Sequence, residues 1–347
     1  MNKLDFSLNE YLDIYHDEGA VSPSSVKTMK YNLLRVLKII DKIPFNKSHD
    51  EPILLKTGDF EEINTIRDKI EEQSLNTQAQ SFVAINFILN LFKETHAIMR
   101  IKKIYTDLAK KVQYKLNNKI GKNELTEKEK ENWIDFEELK AQYIIYANQL
   151  EFNDKYKFQN KTFFNLRDTL LMGLFVLMPP TRIGNYRDML IRKKVSRRTY
   201  NKKYNYLVID EDKYSMIFNQ YKTAKQLGEI KIKITDEIII KLLEQYLLER
   251  DLFNALNKIN NNYKLFTNKH GEFLAQSQIT NGLKKISKEI CDKELSCNMF
   301  RHIFLTDYQS KEHTIEQKIE MARLVGQTYN APIMEKYKKI SNEVHFD

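Results

Sequence analysis

Cysteine is almost missing from this chain. The 347 residues include two, Cys291 and Cys297, with no partner cluster, so neither a disulfide framework nor a cysteine-based zinc site is expected, and a reducing compartment fits. Glycine and proline are also scarce, nine and six in all, which points to a chain dominated by helices. Long apolar runs are lacking: the longest, Leu170 to Met178, falls far short of the about 20 residues that cross a bilayer. The opening stretch MNKLDFSLNEYLDIYHDEG has no apolar core of the kind that directs secretion. No metal-ligand spacing occurs among the seven histidines or the acidic residues, so neither a metal nor a cofactor is expected. A soluble, intracellular protein without membrane contact follows from these absences.

What is present is apolar bulk and positive charge. Hydrophobic residues make up 42%, enough to fill real cores, and 56 Lys+Arg against 47 Asp+Glu leave a net charge of +9. That balance favours a polyanionic partner. The length suggests two domains. In the first third, apolar periodicity predicts a helix after Ser7 through Leu8, Tyr11, Leu12 and Tyr15. A second opens at Ser22-Pro23-Ser24-Ser25 and carries Leu33, Leu37 and Ile40. A third is capped by Asp59 and carries Ile63, Ile66 and Ile70, a fourth carries Phe82 to Phe92, and a fifth Ile101 to Leu116. Basic residues accompany these faces: Lys27, Lys30, Arg35 and Lys38, then Arg100, Lys102, Lys103, Lys110, Lys111 and Lys115. Together they read as a phosphate-binding surface.

The polar stretch at 119–132 is the expected linker between a helical domain at 1–118 and a mixed domain at 133–347. In the latter, Trp133 to Leu150, Phe163 to Leu177, Asp236 to Leu252, Gln276 to Glu289 and Phe300 onward read as helices. Leu207 to Ile209, Ser215 to Phe218 and the alternating Ile230 to Ile234 read as strands. The fold class expected is mainly α with a small antiparallel sheet (α+β).

Four segments of the second domain carry candidate chemistry: Pro179-Pro180-Thr181-Arg182 after an apolar helix, Tyr221-Lys222-Thr223 ahead of the alternating strand, Asn298-Met299-Phe300-Arg301-His302, and Gly326-Gln327 followed eleven positions later by Tyr337. Taken singly each is ordinary: a surface lysine, a core-edge ion pair, a packing tyrosine. Their order and spacing, with Leu265 to Gly271 and the helix from Gln278 to Ile286 between them, resemble the tyrosine recombinase (phage integrase) family. In motif detail they are most similar to recombinases of virophages and related mobile elements. The resemblance runs from Trp133 to Ile340 in motifs and over the N-terminal helices in general architecture.

The resemblance implies a site-specific recombinase that cuts and rejoins DNA through a 3′-phosphotyrosyl link. Tyr337 would be the nucleophile, and Arg182 and Arg301 would hold the non-bridging phosphate oxygens. Lys222 would protonate the leaving 5′ oxygen, and His302 would orient the phosphate or assist as base. It further implies double-stranded DNA as partner, a helical unit and a mixed unit clamping the duplex, and a homo-oligomer on DNA, a tetramer, within the host cell if the element is viral. Two positions depart from the family pattern. Asn298 stands where a histidine is usual, and Asn transfers no proton near neutral pH. Gln327 stands where His or Trp is common, so it would support the phosphate by hydrogen bonding alone. Lys225 rivals Lys222, and Tyr329 rivals Tyr337. A type IB topoisomerase and a non-catalytic DNA-binding protein on the same scaffold are the alternative functions.

Overall fold

Helices form where apolar residues recur at helical spacing, and their ends are set by local side chains. The computed structural model describes residues 3–4, 23–41, 55–90, 92, 94–121, 125–150, 160–193, 201–260 and 263–329. The expected helix after Ser7 lies outside them, as does Tyr337. The chain divides into two compact units, Met1–Lys122 and Asn123–Asp347.

In the first unit, α1 (Pro23–Ile39) lies between two short paired strands, β1 (Lys3–Leu4) and β2 (Leu55–Lys56), and α2 (Ile63–Glu71), α3 (Leu75–Asn90) and α4 (His96–Gly121) follow them. Leu33, Leu37, Phe60, Ile66, Ile70, Phe82, Ile85 and Tyr105 form one core. The expected cap at Asp59 is corrected. Asp59 sits in a 3₁₀ turn, Thr57–Phe60, and α2 starts after Glu62 without a side-chain cap. That turn is held because Phe60 is buried in the core and its carbonyl accepts from the Tyr105 hydroxyl at 3.1 Å. Gln78 of α3 closes the end of α2 by donating to the carbonyls of Glu71 and Gln73. Arg100, Lys103, Lys110, Lys111 and Lys115 of α4 are exposed.

The described residues of the 119–132 segment are largely helical: α4 reaches Gly121, and Thr126 opens α5 (Glu127–Glu131) with a capping box. The second unit continues with α6 (Phe136–Gln149), whose start is fixed by Asp135 accepting from the N–H groups of Glu137 and Glu138. α7 (Asn160–Val176) ends in the uninterrupted apolar run from Leu170 to Val176, and the helix is enclosed by α6, α10 (Glu237–Leu256), α11 (Gln276–Cys291) and α12 (Cys297–Ser310). Gly282 lets α11 come close to α7: a Cβ there would lie 2.7 Å from the Asp168 carboxylate, which pairs with Arg167 at 2.7 Å.

Four strands, β3 (Met189–Lys193), β4 (Asn205–Asp210), β5 (Lys213–Phe218) and β6 (Ile230–Ile234), lie in that order. The fold class is α+β, mainly helical, with one correction to the expected sheet. It is mixed rather than antiparallel, because β3 runs parallel to β4 while the β4–β5 and β5–β6 pairs are antiparallel. β3 itself is absent from the sequence reading; its outer edge is partly covered by the 263–267 segment, where the Leu265 N–H donates to the Met189 carbonyl at 2.9 Å. On β6 the isoleucines face the core and the lysines face out. The helix expected from Phe300 onward is two helices among the described residues, α12 and α13 (Ile315–Leu324), and α12 begins at Cys297 because Ser296 caps it. Two short helices, α8 (Ile183–Arg187) and α9 (Ala224–Leu227), flank the sheet.

Candidate active site

Pro179 and Pro180 end α7 and force an extended path. Arg182 lies at the end of that path, as the extended residue just before α8, and is half-buried. Arg301 sits in the second turn of α12 and is 3% exposed, whereas Asn298, one turn earlier, is exposed. His302 is half-buried on the same helix. Lys222 is exposed in the turn between β5 and α9, and Lys225 is exposed on α9.

What brings these segments together is the end of α13. Gly326 adopts φ +70°, and the chain closes the helix with two bonds: Gly326 N–H donates to Arg323 O at 2.9 Å and Gln327 N–H to Ala322 O at 2.8 Å. This is the glycine-terminated stop in which a left-handed residue satisfies the last turn's carbonyls. The carbonyls of Val325 and Gly326 lie beyond those bonds and need outside donors. Arg301 Nη1 donates to Val325 O at 3.2 Å and to Pro180 O at 2.7 Å. Arg182 Nη1 donates to Gly326 O at 3.0 Å, and Thr223 Oγ1 donates to the same oxygen at 2.9 Å. All four motif segments therefore meet at two consecutive carbonyl oxygens, whose partial negative charge at a helix C-terminus suits cationic donors.

A guanidinium has five N–H groups, and Arg182 spends one bond on Gly326 O. No carboxylate pairs with it among the described residues, so the rest of its donors suit a bound anion. Gln327 is 3% exposed, and both its side-chain amide atoms are buried without a hydrogen-bond partner. Such a group costs about 1–3 kcal/mol per unsatisfied atom, a cost that a bound ligand or water would offset. Burial pushes the thiol of Cys297, at the start of α12, up to about 12, which disfavours the reactive thiolate. Tyr221 donates its hydroxyl to Gly228 O at 2.6 Å, and the Tyr329 ring packs against Leu305, Ala322 and Val325. Among the described residues no cluster of His, Cys, Asp and Glu side chains has the makings of a metal site, and no helix is long and apolar enough to cross a membrane.

Three residues that the sequence reading left without a role hold the site together. Asn205 is 3% exposed at the head of β4. Its Nδ2 donates to Asn185 O and Gln220 O, both at 3.0 Å, and its Oδ1 accepts the N–H groups of Asn219 and Gln220, both at 2.8 Å. It thus ties the helix after Arg182 to the turn before Lys222. Thr223 reaches Gly326, and Arg323 Nη2 donates to Glu229 O at 3.1 Å, fixing α13 to the far end of the same turn. An asparagine opening a strand of Tyr-Leu-Val-Ile was the one available sequence signal, since a polar side chain at such a position is normally fully bonded. Replacing Asn205 by Ala strands two buried N–H and two carbonyl groups. Urea denaturation is expected to show a loss of about 2–4 kcal/mol at unchanged slope; a loss under 0.5 kcal/mol would mean the staple is dispensable.

No protein-family model matches the chain, and no curated protein matches its sequence. A solved structure, that of XerA recombinase, is similar to the chain with a TM-score of 0.37 and 13% identity, over 97% of this chain and 94% of that one.

Proposed function

We propose that the chain is a tyrosine recombinase of the mobile-element kind, which breaks and rejoins double-stranded DNA through Tyr337. The observation that carries this reading is the convergence of Arg182, Arg301 and the Lys222 turn on the carbonyls of Val325 and Gly326. Two guanidiniums at one turn, with the lysine-bearing turn tied to the same carbonyl through Thr223, suit a phosphodiester, and the proposed nucleophile follows that turn by eleven residues.

The chemistry proposed runs as follows. Arg182, Arg301 and the Gln327 amide hold the non-bridging oxygens. The Tyr337 phenol gives its proton to His302, and its oxygen attacks phosphorus. The bond to the 5′ oxygen breaks, the electron pair leaves with that oxygen, and Lys222 supplies its proton. A 3′-phosphotyrosyl link remains, and a 5′ hydroxyl reverses the steps. Asn298 adds a hydrogen bond at most. The basic helices of 1–118 add phosphate contacts, 119–132 joins them to the catalytic part at 133–347, and a tetramer assembles on DNA.

A pool of nicked duplexes with randomised sequence tests this directly. Incubated with the full chain and run under denaturing conditions, the pool is expected to yield a covalent protein–DNA band enriched in particular sequences. Retention of DNA without any covalent band would leave a binding protein and sink the enzyme. A band of no sequence preference, with fast relaxation of supercoiled plasmid, would point to a topoisomerase instead.

A further inference from the structure

We infer that Thr223 is the positioning residue for Lys222: its hydroxyl anchors the lysine's turn to the Gly326 carbonyl and so sets where the ammonium delivers its proton. The inference rests on the function proposed above and deepens it.

Threonine directly before a helix normally turns its oxygen inward to accept an N–H of the first turn. Thr223 precedes α9 and makes no such cap. Its Oγ1 instead points away from its own helix and donates to Gly326 O, 103 positions along the chain, at 2.9 Å. The same oxygen accepts Arg182 Nη1 at 3.0 Å. Two donors on one acceptor lie within about 6 Å of each other at hydrogen-bond lengths, so the residue after Lys222 is fixed next to a phosphate-binding arginine. The turn is also held at both ends, by Asn205 before Lys222 and by Arg323 on Glu229 after it. The Tyr221 ring lies 3.6 Å from where a Gly326 Cβ would be. Lys222 itself is exposed. A surface lysine has wide rotamer freedom, and among these ties only the Thr223 hydroxyl joins its turn to the acceptor shared with Arg182.

A leaving group that needs no proton separates this role from general folding. The test uses a nicked duplex recovered from the pool above, made in two forms, with oxygen or sulfur at the bridging 5′ position. A 5′ thiolate leaves without protonation, so loss of the proton donor or of its placement matters only for the oxygen form. With the full chain, Thr223→Val and Thr223→Ala are expected to form adduct at least about 10-fold more slowly on the oxygen duplex. On the sulfur duplex both, like Lys222→Ala, should return to near the wild-type rate, and Thr223→Ser should keep the wild-type rate on both. Equal slowing on both duplexes, no slowing at all, or unfolding of both Val and Ala variants would overturn the inference. Failure of the sulfur duplex to restore Lys222→Ala would remove the proton donor and the inference with it, while leaving the recombinase reading intact. No adduct from the wild-type chain on either duplex would overturn the recombinase reading itself.

Discussion

Tyr337→Phe is expected to abolish covalent adduct formation, by at least about 10⁴-fold, while leaving DNA retention in a native gel unchanged. The size follows from the chemistry: without a phenolic oxygen no bond to phosphorus forms, and the remaining groups stabilise a transition state that has no attacking atom. Binding survives because the cationic donors, Arg182, Arg301 and the Lys222 ammonium, are untouched, and phosphate contacts supply most DNA affinity. Tyr329→Phe is the matched control. The Tyr329 ring packs on Leu305, Ala322 and Val325, so loss of its hydroxyl should leave adduct formation within about 3-fold of wild type, the scale of about 0.6 kcal/mol. An adduct that persists in Tyr337→Phe and disappears in Tyr329→Phe would transfer the role to the nearer tyrosine.

The second large effect concerns the more deeply placed arginine. Arg301→Lys is expected to slow adduct formation by about 10²–10³-fold, or about 3–4 kcal/mol of transition-state stabilisation, with DNA retention reduced by less than about 3-fold. Lysine keeps the charge, and one ammonium is able to serve the two carbonyls that Arg301 Nη1 now holds, Pro180 O and Val325 O. It lacks the planar fork that would meet two phosphate oxygens together. The chain should therefore remain folded, as thermal unfolding would show, and still fail at the step where charge gathers on phosphorus. Wild-type adduct rates in Arg301→Lys would reduce Arg301 to a strut between the end of α7 and the end of α13.

How much of this was legible in the sequence depends on the range of the interactions involved. α10 was readable because Asp236 caps it and its apolar residues repeat at helical spacing, both local signals. β6 was readable from its alternating isoleucines and lysines. β3 was not: it is half-exposed, and it pairs in parallel with β4, so no hairpin spacing marks it in the sequence. Asp59 misled because its position suits a cap, while burial of Phe60 drew the chain into a 3₁₀ turn first. At the candidate site, the segments bearing Arg182, Lys222, Arg301 and Gln327 stood out by order and spacing. The bonds that gather them did not, because they run from side chains to main-chain oxygens 24 to 144 positions away. A backbone carbonyl leaves no letter in the sequence, and the Tyr221-Lys222-Thr223 motif gives no hint of what Thr223 grips.

The turn after α13 also bears on how this chain tolerates change. Because the arginines and the threonine grasp peptide oxygens, they recognise the path of the chain and no particular functional group at position 325. Exchanges there that preserve bulk are invisible to them. Gly326 is different: at φ +70° a side chain is strained, and relief of that strain would twist the peptide planes and swing the oxygens away from their donors. One residue without a side chain thereby governs the aim of three side chains from three distant parts of the polypeptide.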